Sequence, residues 1–182
     1  EIAEESGMRI LGPNCLGIFS GRDGAFSTFS SSIEMGRPRE GNVGIASQSG
    51  AFGAHIFSLA RERGVGFSYW ATTGNECDVA FADCVRFMAE DDGTDVILGY
   101  MEGCRDVDRL YDAFEFAHAQ KKPIVMMKVG NSDIGAHAAA SHTCTGRAPR
   151  ANWSISATPV PSASIRRATG WASSRFPAAP GC

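Results

Sequence analysis

Two side chains in this sequence are suited to phosphoryl chemistry, those of His142 and Glu102. His142 lies in the run Ala-Ala-Ala-Ser-His-Thr, after a glycine-containing loop that follows the last apolar segment. Such a histidine can attack a phosphoryl group through one ring nitrogen when the other is held and the charge is stabilised. Glu102 ends another apolar segment, and its carboxylate could accept the second N–H. The alternative is that His142 is an ordinary loop histidine and Glu102 a solvated carboxylate. Spacing alone does not decide between this alternative and the catalytic pair.

A third candidate is the run Ser47-Gln48-Ser49-Gly50, where an apolar segment passes through small polar residues directly into a helical pattern. Amides at a helix N-terminus bind anions, and small residues let the anion approach. Gln48, Ser49 and Gly50 are therefore a candidate phosphate-binding turn, with Ser49 and Gly50 as the expected contacts. The alternative is that Ser49 simply caps the helix.

The remaining histidines are weaker candidates. His55 and His118 fall on predicted helices, where structural or exposed positions are expected. His137 lies five residues before His142, but the sequence offers no third ligand at a recognisable spacing. We therefore predict no metal site.

The segments that must position these residues alternate between short apolar runs and helices of about a dozen residues, a pattern typical of a doubly wound parallel sheet covered on both faces. Glu1–Ser6 is predicted to end a helix, stopped by Gly7, and Ser20–Glu40 is predicted to be a connection. The predicted strands are Met8–Leu11, Asn42–Ser47, Phe67–Ala71, Val96–Met101 and Pro123–Lys128, and the predicted helices are Ala51–Arg63, Asp78–Ala89 with Asp78 as N-cap, and Asp106–Ala119.

Ligands of such sheets gather at the carboxyl ends of the strands. This rule directs attention to the ends of four predicted strands and to the loops that follow them. The loops are Gly12–Cys15, Gln48–Gly50, Thr72–Asp78 and Val129–Thr143, and Glu102 lies just past another strand.

The composition changes abruptly after Thr143. Residues 144–182 contain five arginines but no Asp, Glu or Lys, and without those arginines the formal net charge would fall from -3 to -8. A disordered basic arm and an out-of-frame reading of a GC-rich gene both explain this tail. Its aromatic residues are too dispersed to predict nucleic-acid binding.

The rest of the composition is that of an ordinary globular chain. The six cysteines form no C-x-x-C pair, and no apolar stretch approaches the roughly 20 residues that cross a bilayer. We therefore expect a cytoplasmic protein with free thiols and no membrane or nucleic-acid partner.

Six motifs give the chain a resemblance to ADP-forming acetyl-CoA synthetases and, more widely, to the α subunit of succinyl-CoA synthetase. The resemblance covers residues 1–143. The motifs occur in the family's order: Gly12-Pro13-Asn14-Cys15-Leu16-Gly17, Gly44–Ala51, Gly74-Asn75 with Asp78, Tyr100–Gly103, Lys122-Pro123 with Lys128 and Gly130, and Ala140–Thr143.

The resemblance implies a division of the chain into four parts. Residues 1–19 would end a CoA-binding Rossmann domain, 20–40 would be a linker, 41–143 a truncated flavodoxin-like ligase domain, and 144–182 the tail. The motif continues after Thr143 as Cys144–Pro149 rather than as the family's Gly-Ala-rich helix start. That departure puts the following helix in doubt, and the fragment alone is expected to be inactive.

The resemblance also implies site roles and reaction partners. Gly12, Pro13, Asn14 and Cys15 would lie near the CoA thiol, Gly74 and Asn75 would form another active-site loop, and the catalytic pair would be His142, which is phosphorylated, and Glu102, which steadies it. Acyl-CoA, phosphate and ADP would be interconverted with a small carboxylic acid, CoA and ATP. The nucleotide and Mg²⁺ would bind an ATP-grasp domain or β subunit that this sequence lacks.

Two other classes of function stay open. One is a CoA-binding regulatory module or protein acyltransferase built on an inactive synthetase domain, although related acyltransferases lack the histidine. The other is a flavodoxin-like nucleotide or flavin binder, which would leave Glu102 and His142 without a role.

Overall fold

The computed structural model describes residues 2–34 and 36–129, which form one six-stranded sheet and, within these ranges, four α-helices. The strands are β1 (Gly17–Ser20), β2 (Ala25–Thr28), β3 (Glu40–Ser47), β4 (Phe67–Thr72), β5 (Val96–Met101) and β6 (Ile124–Lys128). The helices are α1 (Ile2–Ser6), α2 (Gly50–Glu62), α3 (Phe81–Glu90) and α4 (Val107–Ala119), and a short 3-10 turn spans Ser31–Ile33.

The sheet has the strand order β2-β1-β4-β3-β5-β6. Strands β3 to β6 are mutually parallel, whereas β1 pairs antiparallel with both β4 and β2. The predicted α/β fold with a doubly wound parallel sheet is confirmed, and the sheet has in addition an antiparallel edge formed by β1 and β2. The predicted strands from Asn42 onward and the helices α2 and α4 are also confirmed to within a few residues.

Two apolar cores lie on opposite faces of the sheet. Val43 and Ile45 of β3 pack with Phe57 of α2 on one face, whereas Ala46 packs with Val85 of α3 on the other. Successive strand residues point to opposite faces, so a strand buried on both sides is a nearly continuous apolar run. Gly64, at φ +72°, ends α2 in the left-handed conformation expected of the residue after a helix.

The predicted connection Ser20–Glu40 was wrong in part, because it contains β2 and the 3-10 turn. Each strand of the β1–β2 hairpin has only four residues, and the hairpin is fixed by distant contacts. Phe19 stacks on Trp70 of β4 with ring centroids 5.4 Å apart and an interplanar angle of 10°. Such packing across strands, rather than local propensity, decides whether short segments become strands.

The predicted strand Met8–Leu11 was also wrong: the segment makes one isolated bridge, Leu11 to Val79. Asp78 does not cap α3, because its carboxylate binds the Arg9 guanidinium at 2.9 Å and accepts from the Ile10 amide at 2.8 Å. The helix begins three residues later. The domain boundaries after residues 19, 40 and 143 stay predictions.

The described part of the chain has no helix long and apolar enough to cross a membrane.

Candidate functional site

The candidate site lies where neighbouring strands β3 and β5 send their following helices to opposite faces of the sheet. Strand β3 leads into α2 on one face, and β5 leads into α4 on the other. In open α/β sheets the crevice at such a point, outside the carboxyl ends of the strands, is the usual place for a ligand. Gln48, Ser49 and Glu102 all lie there.

Ser49 begins α2 by capping it. Its hydroxyl accepts from the amide of Phe52 at 3.3 Å, and its carbonyl accepts from Gly53 at 3.0 Å. Gly50, the first helical residue, lies against Leu16, because a Cβ there would come within 2.7 Å of Leu16 Cγ. Ser49 therefore caps the helix, and the N–H groups of Gly50 and Ala51 are the first-turn amides without an intrahelical acceptor, which is the kind of group that binds an anion.

Gln48 is almost fully buried, with 7% of its surface exposed. Its side-chain oxygen accepts from the amides of Glu102 at 2.7 Å and Gly103 at 2.9 Å. Its side-chain nitrogen donates to the Gly103 carbonyl at 2.8 Å and to Glu76 Oε1 at 2.9 Å. The loop that carries Glu102 is thus bonded to the loop that follows β3.

Glu102 is 8% exposed and has charged and aromatic neighbours. Lys128 Nζ donates to the Glu102 carbonyl at 2.9 Å, and burial lowers the pKa of Lys128, while the nearby charges of Cys104 and Glu102 oppose that shift. Burial raises the pKa of Tyr100, and the charge and hydrogen bond of Glu102 raise it further. Tyr100 stacks on Phe52 with ring centroids 4.0 Å apart.

The predicted loop Gly12–Cys15 packs directly on the predicted loop Gly74-Asn75. The Asn75 amide donates to the Pro13 carbonyl at 2.8 Å, and Asn14 Nδ2 donates to Asn75 Oδ1 at 3.2 Å. Gly74 has φ +58°, and a Cβ there would lie 2.3 Å from the Pro13 oxygen. Glycine is therefore needed at this position both for its conformation and for the close backbone approach.

Glu76 joins these loops and was missed by the sequence analysis. Its Oε1 accepts from Thr73 Oγ1 at 2.7 Å, from the Phe81 amide at 3.0 Å and from Gln48. Arg105, also missed, donates to the carbonyls of Asn75 and Glu76 at 2.9 and 3.2 Å. A charged residue in a glycine-containing loop was the available signal, but it does not identify which partners the residue takes.

A cavity of about 210 Å³ opens beside these groups, bordered by the starts of α3 and α4. Its lining combines acidic, basic and thiol side chains with apolar ones. The polar and thiol lining side chains are those of Gln48, Glu76, Cys77, Asp78, Cys104, Arg105, Asp106 and Arg109. Among the described residues, no three His, Cys, Asp or Glu side chains cluster in a way that could hold a metal ion.

The structure brings together all predicted site residues that it describes, at one end of the sheet. His142, His137 and all of the predicted Val129–Thr143 loop after Val129 lie outside the described residues, as does the tail. His55 and His118 are exposed.

Comparison with known families identifies this domain. The model of the succinyl-CoA ligase-like flavodoxin domain matches residues 40–154, a range that includes Gln48, Glu102 and His142. The chain belongs to this family.

Curated relatives extend the match to ADP-forming acetyl-CoA synthetases. The ADP-forming acetate–CoA ligase I of Archaeoglobus fulgidus is 41% identical over 143 residues, which are 79% of this chain and 20% of the relative. The α subunit of the ADP-forming acetate–CoA ligase II of Pyrococcus furiosus is 38% identical over 143 residues, 79% of this chain and 30% of the subunit. The chain is therefore homologous to part of these enzymes and spans about 20 to 30% of their length.

A solved structure gives the same result. The dinucleotide-forming acetyl-coenzyme A synthetase 1 of Ca. Korarchaeum cryptofilum, in complex with phosphate and ADP, superimposes with a TM-score of 0.67 and 34% identity. The match covers 77% of this chain and 30% of that one. The predicted resemblance to this group of enzymes is confirmed.

Proposed function

We propose that this chain is the phosphohistidine-carrying region of a nucleoside-diphosphate-forming acyl-CoA synthetase. The observation that supports this best is the position of Glu102. It is a nearly buried carboxylate at the ligand-binding end of the sheet, on a loop bonded to Gln48, which immediately precedes the Ser49-Gly50 helix start. A carboxylate beside an anion-binding turn is what a transient phosphohistidine requires, because the imidazole must be held while the phosphoryl group is stabilised.

The proposed reaction has three steps. Phosphate attacks the thioester carbonyl and expels the CoA thiolate, which leaves an acyl phosphate. A ring nitrogen of His142 then attacks the phosphorus and releases the carboxylate. The phosphohistidine finally transfers its phosphoryl group to ADP on an ATP-grasp domain or β subunit, where Mg²⁺ is held. The reverse sequence makes acyl-CoA from ATP, CoA and a small carboxylic acid.

Each loop has a separate role in this proposal. Ser49 and Gly50 bind the phosphate during the attack, and Glu102 accepts the second imidazole N–H of His142. The loop Gly12–Cys15 lies near the CoA thiol, and its bonds to Asn75 hold it against the domain. Gly74 permits that contact.

The test requires this region in a complete enzyme. A chimera, the exchanged enzyme, carries residues 1–143 of this chain in place of the corresponding segment of the A. fulgidus relative. The exchanged enzyme is incubated with γ-labelled ATP. We expect label on His142 that is lost in acid and stable in base, as phosphorus bonded to nitrogen should be. His142→Asn should abolish both the label and acyl-CoA formation, because an amide is not a usable nucleophile.

A second variant, Glu102→Gln, tests the role of the carboxylate in the same assay. It should leave the fold intact and slow labelling by about 100-fold, because a neutral amide stabilises the charged imidazole less well. The proposal fails if the His142→Asn enzyme makes acyl-CoA at the unsubstituted rate. A CoA-binding module or acyltransferase would then be the better description.

A further inference from the structure

We infer that Gln48 is a positioning residue for Glu102 rather than a ligand for phosphate. The inference rests on the proposed function, and it assigns the third residue of the predicted phosphate-binding turn to a different task. Its basis is the set of four hydrogen bonds that the Gln48 side chain makes within the described residues.

The side-chain amide of Gln48 is saturated. A glutamine oxygen accepts two hydrogen bonds and the nitrogen donates two, and all four positions here are taken at 2.7 to 2.9 Å. Its backbone N–H is also used, because it donates to the Tyr100 carbonyl at 3.0 Å. A phosphate could bind Gln48 only by displacing one of these partners.

The pattern of partners also fixes which way the amide lies. The oxygen faces two N–H groups, those of Glu102 and Gly103, and the nitrogen faces a carbonyl and a carboxylate. A flipped amide would oppose donors to donors and acceptors to acceptors. Only one orientation of the side chain therefore satisfies the site.

Three of the four bonds go to the backbone of the two residues that set where the Glu102 carboxylate lies. The amides of Glu102 and Gly103 and the carbonyl of Gly103 are all held by one side chain from the neighbouring strand end. On the other side, Lys128 Nζ holds the Glu102 carbonyl. The backbone of Glu102 is thus fixed at both of its peptide groups.

The fourth bond orients Gln48 itself. Glu76 Oε1 accepts from Gln48 Nε2 and is in turn held by the Thr73 hydroxyl and the Phe81 amide. Buried polar groups whose partners are all bonded form rigid networks, so a change at Gln48 should release the Glu102 loop rather than be absorbed locally.

Two substitutions separate the roles of the amide. Gln48→Met keeps the length of the side chain and removes all four bonds. Gln48→Glu keeps an oxygen for the two amides, removes both donated bonds and places a second carboxylate beside Glu76. Gln120→Met is the control, because Gln120 is exposed at the end of α4.

The first measurement uses the 182-residue chain and follows amide hydrogen exchange of Glu102 and Gly103 by NMR. We expect exchange at least 10-fold faster in Gln48→Met and unchanged in Gln120→Met. Gln48→Glu should fall between them. If these two amides exchange at the same rate in a folded Gln48→Met chain as in the unsubstituted chain, the inference is overturned. If that variant does not fold, the Gln48→Glu comparison decides.

The second measurement uses the exchanged enzyme and separates positioning from phosphate contact. Gln48→Met should slow His142 labelling at least 10-fold and leave the KM for phosphate within twofold. In a Glu102→Gln background the same substitution should have less than a twofold effect, because it acts through Glu102. A raised KM for phosphate with unchanged kcat would show that Gln48 contacts the anion instead.

The two measurements fail independently. If the unsubstituted exchanged enzyme carries no label on His142, the proposed function fails while the hydrogen-exchange result still decides whether Gln48 holds the Glu102 loop.

Discussion

The two ends of the parallel sheet each carry a carboxylate that accepts a threonine hydroxyl, but the other partners differ. At the amino end, Asp91 accepts from Thr94 at 2.9 Å and pairs with the Arg22 guanidinium at 2.8 Å. At the carboxyl end, Glu76 accepts from Thr73 at 2.7 Å and from the neutral amide of Gln48.

The difference lies in where each network ends. The Asp91 network closes on a surface arginine and on the buried pair Ser68 and Thr94, whose hydroxyls are 2.7 Å apart, so it joins the hairpin turn to the end of α3. The Glu76 network continues through Gln48 to the backbone of Glu102. One network stabilises the fold, and the other stabilises it and also fixes a candidate active-site group.

The largest expected difference between the two ends concerns a pair of glycines with nearly the same backbone conformation. Gly74, at the carboxyl end, has φ +58°, and Gly24, in the hairpin turn at the amino end, has φ +62°. Alanine in this conformation costs about 1 kcal/mol. At Gly74 its Cβ would also clash with the Pro13 oxygen, whereas at Gly24 nothing lies within 4 Å.

We therefore expect Gly24→Ala to lower the free energy of unfolding by about 1 kcal/mol, and Gly74→Ala to lower it by about 3 kcal/mol or more. Urea denaturation of the 182-residue chain measures both. Equal losses would mean that the Gly12–Cys15 loop moves away at little cost, and the two ends would then be alike.

The second prediction compares the carboxylates themselves. Glu76→Ala and Asp91→Ala each leave former donors without an acceptor, so both should lower the free energy of unfolding by about 1 to 3 kcal/mol. Only Glu76→Ala should also slow His142 labelling in the exchanged enzyme, by about 10-fold, because a small displacement of Glu102 misaligns the imidazole. Asp91→Ala is its control, and slow labelling in that variant would contradict a division of roles between the two ends.

The smallest expected effect is the pH dependence of the Arg9–Asp78 ion pair. The hydrogen bond from Arg9 and that from the Ile10 amide hold the pKa of Asp78 below its usual value. A carboxyl group with a lowered folded-state pKa stabilises the fold at pH values above its unfolded pKa of about 3.9. That contribution is lost as the pH falls through the lower folded value.

The melting temperature of the unsubstituted chain should therefore exceed that of Asp78→Asn at about pH 7. The two melting temperatures should converge as the pH falls from about 4 to about 2, because the carboxyl group then becomes protonated in the folded chain as well. An Arg9→Met background should reduce the difference. A gap that stays constant down to the lowest pH would assign the effect to some contact other than the charged carboxylate.

The parts that could be predicted from sequence depend on local pattern. Apolar runs such as Val96–Met101 predicted the parallel strands. Ligands of such sheets bind at the carboxyl ends of the strands, and this rule predicted that Ser49 and Glu102 lie together at that end. The β1–β2 hairpin could not be predicted, because its short strands are stabilised by contacts with residues distant in the sequence, such as that of Phe19 with Trp70. The hydrogen bonds of the Gln48 side chain could not be predicted, because their backbone partners are 54 and 55 residues away in the sequence.

Tyr100 supplies the site with an intrinsic spectroscopic reporter. Its ring stacks on Phe52 in the first turn of α2, and its hydroxyl hydrogen-bonds Glu102. Movement of either the helix start or the carboxylate changes the surroundings of a single phenol ring. Ring chemical shifts of Tyr100 should therefore follow events at this end of the sheet without an added label, and Tyr69, which packs on Phe87 instead, supplies the internal reference.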